Sequence, residues 1–223
     1  MKHISLYFIG VCALLLFASC GRNIKISRQS DKEVSIFPDY KNVTIPYNIA
    51  PLDFSVNGNA VCQLIISDDS RSFQVEEKDG YFEIPTDQWK EMLEKNKGKS
   101  IRLTVCEQQG SEWIACKPFT MDIAREPIDP YIAYRLIPPG YELWNEMGIY
   151  QRDLTTFKES CIYKNTLTDK NCVNCHSFCM QNPKDMMFHS RAKHAGTLVI
   201  KDGKIEKLNT KTDQTISPLV YPS

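Results

Sequence analysis

Three residues within a stretch of five carry the most specific chemistry in the chain: Cys172, Cys175 and His176, in the string CVNCH. In c-type haem attachment each of two thiols adds to a haem vinyl group to give a thioether, and the histidine that follows coordinates the iron. The two-residue gap predicts one helical turn that sets both sulfurs against the macrocycle edge, with His176 aimed at its centre. Such a string arises by accident in fewer than about one chain in a hundred at this Cys and His content, so it is a strong signal where the compartment also fits. Zinc is a competing reading; it needs two further ligands, for which Cys161, Cys179, His189 and His194 are available. A thiol redox pair belongs in a βαβ pattern, which this sequence lacks, and a structural disulfide with Cys161 or Cys179 is the remaining alternative.

A histidine or methionine opposite His176 would complete a six-coordinate electron-transfer centre. Met180, Met186, Met187, His189 and His194 follow the motif and Met147 precedes it; His189 is the candidate carried forward as sixth ligand. An iron without a sixth protein ligand would open sensing or peroxidase-like roles, but no distal acid/base pair can be named.

The compartment is read from the N-terminus. Lys2 and His3 precede an apolar run over 4–17, the size of a signal-peptide core and too short to span a bilayer comfortably. The segment LFASC ends that run and resembles a bacterial lipobox, in which cleavage before the cysteine frees a thiol for diacylglycerol. Phe17 occupies the place where the pattern wants Leu16. The expectation is a signal peptide over 1–19, a lipid anchor at Cys20 and a polar tether over 20–32. Export places the other cysteines in an oxidising compartment, where thiols pair or are captured by a cofactor.

Lys plus Arg and Asp plus Glu number 27 each, so the whole chain has no electrostatic reason to seek nucleic acid, and none is expected as a partner. With 42% hydrophobic residues, 223 residues suffice for one large domain or two small ones. Over 33–126 short apolar stretches alternate with turn signals, which predicts an immunoglobulin-like antiparallel β-sandwich. Asp79 and Gly80 mark a type I′ hairpin, and Gln109 and Gly110 a second tight turn. One helix is predicted from Thr86 to Lys95, with Asp87 able to cap and Trp89, Met92 and Leu93 on one face. Cys106 and Cys116 flank a turn and could pair across it, the alternative being buried free thiols. This region has no His and no phosphate loop, so no catalytic constellation is expected in it.

From Pro127 the style changes. Residues 127–183 read as a small irregular or helical haem-attachment module, with a short helix over 142–151. Residues 184–223 read as β-hairpin, with Asp202 and Gly203 at a type I′ turn. The stretch from IAYRLIPPGYELWNEMGIYQRDL through NCVNCHSFCMQNPKDMMFHSRAKHAGTLVIKDGKIEKL to the end resembles the N-terminal half of a group of Bacteroidetes lipoproteins described as TolB-like with a cytochrome c signature. In that group a β-propeller follows, usually opening with YPxWHPxG. Here the chain ends at Tyr221, Pro222 and Ser223, so the resemblance implies a truncated or split member with an incomplete propeller blade.

These readings together predict a mainly β, lipid-anchored envelope protein, facing the periplasm, that carries one covalent haem c and transfers electrons to an envelope partner. The alternative is a haem-free binding or scaffold lipoprotein in which the CxxCH cysteines form a disulfide or zinc clasp. An enzyme is the least favoured reading, because no hydrolytic triad or paired-carboxylate site can be assembled.

Overall fold

The computed structural model describes residues 24–140, 146–209 and 211–215. The expected signal peptide, the lipidation residue Cys20 and the final eight residues lie outside the described residues, as does the start of the helix expected over 142–151.

The chain is mainly β. Along it run β1 (Ile26–Gln29), β2 (Ile36–Phe37), β3 (Val43–Ile45), β4 (Phe54–Val56), β5 (Cys62–Ser67), β6 (Ser72–Lys78) and β7 (Tyr81–Phe82). The helix α1 (Thr86–Lys95) comes next, then β8 (Ser100–Gln109), β9 (Glu112–Ala115), β10 (Phe119–Ile123), β11 (Tyr131–Leu136), β12 (Gly148–Asp153) and β13 (Glu159–Lys164). The last four strands are β14 (Val173–Phe178), β15 (Asp185–Ser190), β16 (Gly196–Lys201) and β17 (Lys204–Leu208). Two compact units form: one from residues up to Asp39 with Phe54–Glu83 and Arg102–Phe119, the other from Tyr40–Asp53, Ile84–Ile101 and Thr120 onward.

In the first unit the strand order is β1-β9-β8-β5-β6-β7-β4-β2. Central β5 pairs antiparallel with β6 and β8, and Leu64, Ile66, Leu103 and Val105 are fully buried along these strands. Phe54 and Phe82 meet edge to face at 5.4 Å. Asp79 and Gly80 take φ of 54° and 78°, as a type I′ turn requires, and Gly110 supplies the positive φ of the β8–β9 turn. The expected purely antiparallel arrangement is corrected at β1, which runs parallel to β9 with Ile26 opposite Trp113. A parallel pair needs a long connection, which the whole stretch between these strands supplies. The same pairing turns part of the expected tether, 26–29, into strand: β9 offers an edge of unpaired backbone groups, and Ser30 N–H extends the contact to the Ala115 carbonyl at 2.9 Å.

The second unit contains α1, the parallel pair β3–β10, a three-stranded sheet β11-β12-β13 and a four-stranded sheet β14-β15-β16-β17. The helix buries Trp89, Met92 and Leu93 completely, the i, i+3, i+4 face that the sequence predicts. Pro85, not Asp87, is its N-cap; Asp87 sits in the first turn, where its carboxylate meets the positive end of the helix dipole. Residues 148–151, expected to be helical, belong to strand β12 instead. Ile149 and Tyr150 favour extended backbone, and Gly148 lets the chain pass close to β13, since a Cβ there would lie 2.8 Å from the Tyr163 carbonyl. Met147, Ile149, Tyr163, Val173, Met186 and Phe188 form one buried cluster joining the two sheets of this unit. Residues 184–223 contribute β15, β16 and β17, with φ of 48° and 75° at Asp202 and Gly203 in the predicted turn.

Candidate functional site around the CxxCH strand

The motif does not form the helical turn expected of it. Val173 to Phe178 are strand β14, paired antiparallel with β15, and the register jumps in the middle: Asn174 faces His189, while Ser177 faces Met187. Cys175 and His176 together therefore oppose the single residue Phe188, which is a β-bulge. Cys175 accommodates it with a φ of 58°, the left-handed region that non-glycine residues seldom enter. The alternation of Val173 and Phe178 with polar residues suits a half-buried strand, and the apolar side packs on the buried cluster. The start of this strand is held by the residue before β12: Val173 N–H points at the Met147 sulfur at 3.4 Å, and the Asn165 side-chain carbonyl accepts the Met147 N–H at 3.2 Å.

The bulge sends the motif's side chains to different surroundings. Cys172 is half-buried and packs on the cluster of Met147, Val173 and Phe188; Cys175 is buried. His176 reaches the edge strand β11, with its Nε2 3.2 Å from the Ala133 carbonyl, and its ring lies edge-on to Phe178 at 6.5 Å. His176 lines a cavity of about 340 Å³ with Tyr131, Ala133, Gln151, Phe178 and Pro183. Neither motif cysteine lines it.

Other candidate residues lie apart from this point. His189 is buried beside Phe188 in the same strand, and strand alternation turns it to the sheet face away from the cluster that Phe188 enters. His176, on β14, reaches toward β11, and His189 is not part of the cavity that His176 lines. Burial, and then the charge of Arg191, hold the His189 imidazole below its ordinary pKa, and its Nδ1 has no hydrogen-bond partner. His194 is exposed and bonds Asp169 at 2.8 Å through Nε2. That contact, followed by Lys193, holds the Asp169 carboxyl below the usual range. Met180 is 93% exposed, whereas Met147 and Met186 belong to the buried cluster. Among the described residues no three His, Cys, Asp or Glu side chains are grouped to hold a metal ion, so the zinc alternative has no ligand set there.

All seven described cysteines are free thiols. Cys106 and Cys116 are not bonded: Cys106 pairs with Ala115, while Cys116 donates its N–H to the Val105 carbonyl at 2.9 Å. Neighbouring register positions put the two side chains on opposite faces, where no disulfide can close. Cys161 and Cys179, offered by sequence as partners for the motif, are exposed and unbonded.

The residue types of the motif are those of a c-type haem site, two unbonded thiols and one imidazole within five residues, but the geometry does not match: the imidazole lines a cavity that also holds Asp129, Gln151 and Gln181 and that neither thiol reaches. The participants that sequence reasoning missed are the Ala133 carbonyl, Phe178 and Gln151. A backbone carbonyl has no signature in the sequence, and the two side chains matter only through pairings set by the fold.

No protein-family model matches the chain, and no curated protein matches it. Among solved structures, a DUF4784 family protein from Bacteroides caccae aligns with 80% of this chain and 44% of its own, at 9% identity and a TM-score of 0.24. The chain thus spans less than half of that neighbour, and so low a TM-score assigns neither fold family nor function.

Proposed function

We propose that this chain is a lipid-anchored envelope protein carrying one covalent haem c, held by Cys172 and Cys175 with His176 as proximal ligand, and that it transfers electrons to an envelope partner. The observation that carries the reading is the conjunction, within five residues, of two unbonded motif thiols with an imidazole that lines a cavity. Each attachment is an addition: sulfur bonds one vinyl carbon, the thiol hydrogen ends on the other, and no oxidant or reductant is consumed. When bound, the haem supplies a one-electron iron couple. The chain's own share is to fix the proximal imidazole between β11 and β14 and to limit water beside it with Tyr131, Phe178 and Pro183. Anchoring at Cys20 and a TolB-like relationship belong to the same reading. The four-stranded antiparallel order of β14 to β17 supports reading it as the beginning of a propeller, and the strand-rich first unit supports an immunoglobulin-like segment ahead of it.

A second reading is favoured by one observation: neither sulfur lines the His176 cavity, and both thiols pack toward the core. In that reading Cys172 and Cys175 close a structural disulfide in a scaffold lipoprotein. Expression with a periplasmic cytochrome c maturation system separates the two. The haem reading expects a pyridine haemochrome spectrum and a mass gain of one haem that survives denaturation; a colourless chain two hydrogens lighter than its reduced form contradicts it.

A further inference from the structure

We propose that strand β17 is the pairing edge for a second copy of this chain, the two copies joining antiparallel about Ile205 into one continuous sheet. The sheet β14-β15-β16-β17 ends at β17, which pairs with β16 alone among the described residues. Its five residues are all exposed and keep an unbroken register, from Lys204 opposite Lys201 to Leu208 opposite Thr197. Lys201 and Lys204 form the hydrogen-bonded pair that closes the Asp202-Gly203 turn. Bonded and non-bonded pairs alternate from there, so the N–H and C=O of Ile205 and Lys207 face outward. An edge of this kind is ordinarily fenced by a proline, a bulge or an outward lysine. Neither of the first two occurs in β17, and Lys207 is turned back over β16, its Cε lying where a Cβ on Gly196 would stand.

The residues of the strand select the occupant. Ile205 lies opposite Ile200, and Ile200 opposite Met186, so an apolar row runs from the buried cluster to an exposed end at the free edge. On the other face Lys204 lies opposite Lys201, a like-charged pair that an acidic neighbour on the open side would relieve. Opposed residues share a face of a sheet, so an antiparallel pair of identical strands must be centred on a residue. Centring on Lys204, Glu206 or Lys207 puts that charge against itself, and centring on Leu208 leaves most of the strand unpaired. Centring on Ile205 sets the two isoleucines side by side with their backbones bonded, and places each Lys204 opposite the partner's Glu206, twice by symmetry. So short a strand pair buries less than the roughly 1,200 Å² of a stable interface, and the association is therefore weak and concentration-dependent.

Sedimentation velocity on the full mature chain without its lipid, from micromolar to millimolar concentration, tests this. Reducing conditions exclude links through the exposed Cys161 and Cys179. Wild type is expected to pass from monomer to dimer. Lys204→Glu and Glu206→Lys each bring like charges together at both symmetric positions and should weaken the dimer about ten-fold or more. The double variant exchanges the charges and should return to within about three-fold of wild type. Ile205→Pro removes an N–H that bonds nothing in β16, so it should abolish the dimer while β16 keeps its protection from hydrogen exchange. A chain that stays monomeric throughout overturns the proposal. So does a dimer that neither single reversal weakens, or one that the double variant fails to restore.

Discussion

In the first unit Cys62, Cys106 and Cys116 sit on or beside paired strands at 4%, 0% and 2% exposure, whereas in the second Cys175 is buried at 9%, Cys172 is half-buried and Cys161 and Cys179 are exposed. Cys62 and Cys116 also lie near carboxylates. The Cys62 N–H donates to Glu77 at 2.7 Å, and Glu107, bridged to Lys32 at 2.7 Å, lies opposite Cys62 across the β5–β8 pair. Burial, reinforced by these carboxylates, pushes the Cys62 thiol up to about 12, and burial pushes Cys106 up to about 11. Thiols held protonated are poor nucleophiles and poor metal ligands, so the first unit uses its cysteines as small core side chains. The same element thus has two uses in one chain, and the environment rather than the cysteine count tells them apart.

The largest effect that would break this comparison is loss of the cofactor. Replacing Cys172 and Cys175 by alanine should abolish covalent haem altogether, while replacing Cys62, Cys106 and Cys116 should leave the haem content per folded chain unchanged. Pyridine haemochrome quantitation checks both.

Native-state alkylation at pH 8 sharpens the comparison kinetically. With thiols near 11 and 12, the thiolate fraction of Cys106 and Cys62 is about one in a thousand and one in ten thousand. Cys161 and Cys179 should be labelled at least about a hundred-fold sooner, as peptide mass spectrometry would record.

The cores can be compared directly. Phe188→Ala removes a fully buried ring packed 4.7 Å from that of Tyr163 and should cost about 3–5 kcal/mol, and Leu64→Ala in the first unit about 2–5 kcal/mol. Urea unfolding followed by tryptophan fluorescence measures both.

The smallest expected effect is on pH dependence. Folding raises the Cys62 pKa from 9.0 to about 12, so the folded chain retains a proton that the unfolded chain releases. That contribution is fully present below pH 9 and is lost as pH rises toward 12. A Cys62→Ala variant should show a shallower alkaline fall in urea midpoint than wild type; equal slopes would place the pH response elsewhere.

Much of the fold was legible because its signals are local. Asp79-Gly80 and Asp202-Gly203 specify their turns by backbone preference, and the spacing of Trp89, Met92 and Leu93 specifies a helix face. The parallel pairings of β1 with β9 and β3 with β10 were not legible, since they join segments far apart in sequence and carry no turn signature. At the site, the chemistry of Cys172, Cys175 and His176 could be read from residue types alone, but their backbone could not. The helical turn was inferred from the cofactor's needs, while the strand follows from Val173 and Phe178 packing on a core that β12, β13 and β15 complete. His189 illustrates the same limit: nearness in sequence made it a ligand candidate, and strand alternation turned it to the other face.

Tryptic mapping of the matured protein decides how the motif cysteines are used, because cleavage after Lys170 and Lys184 isolates the whole motif together with Cys179 in one peptide. The expected peptide over 171–184 carries one haem through Cys172 and Cys175 and leaves Cys179 open to alkylation. A haem-free peptide with Cys172 and Cys175 joined in a disulfide would contradict it and make the motif a structural clasp.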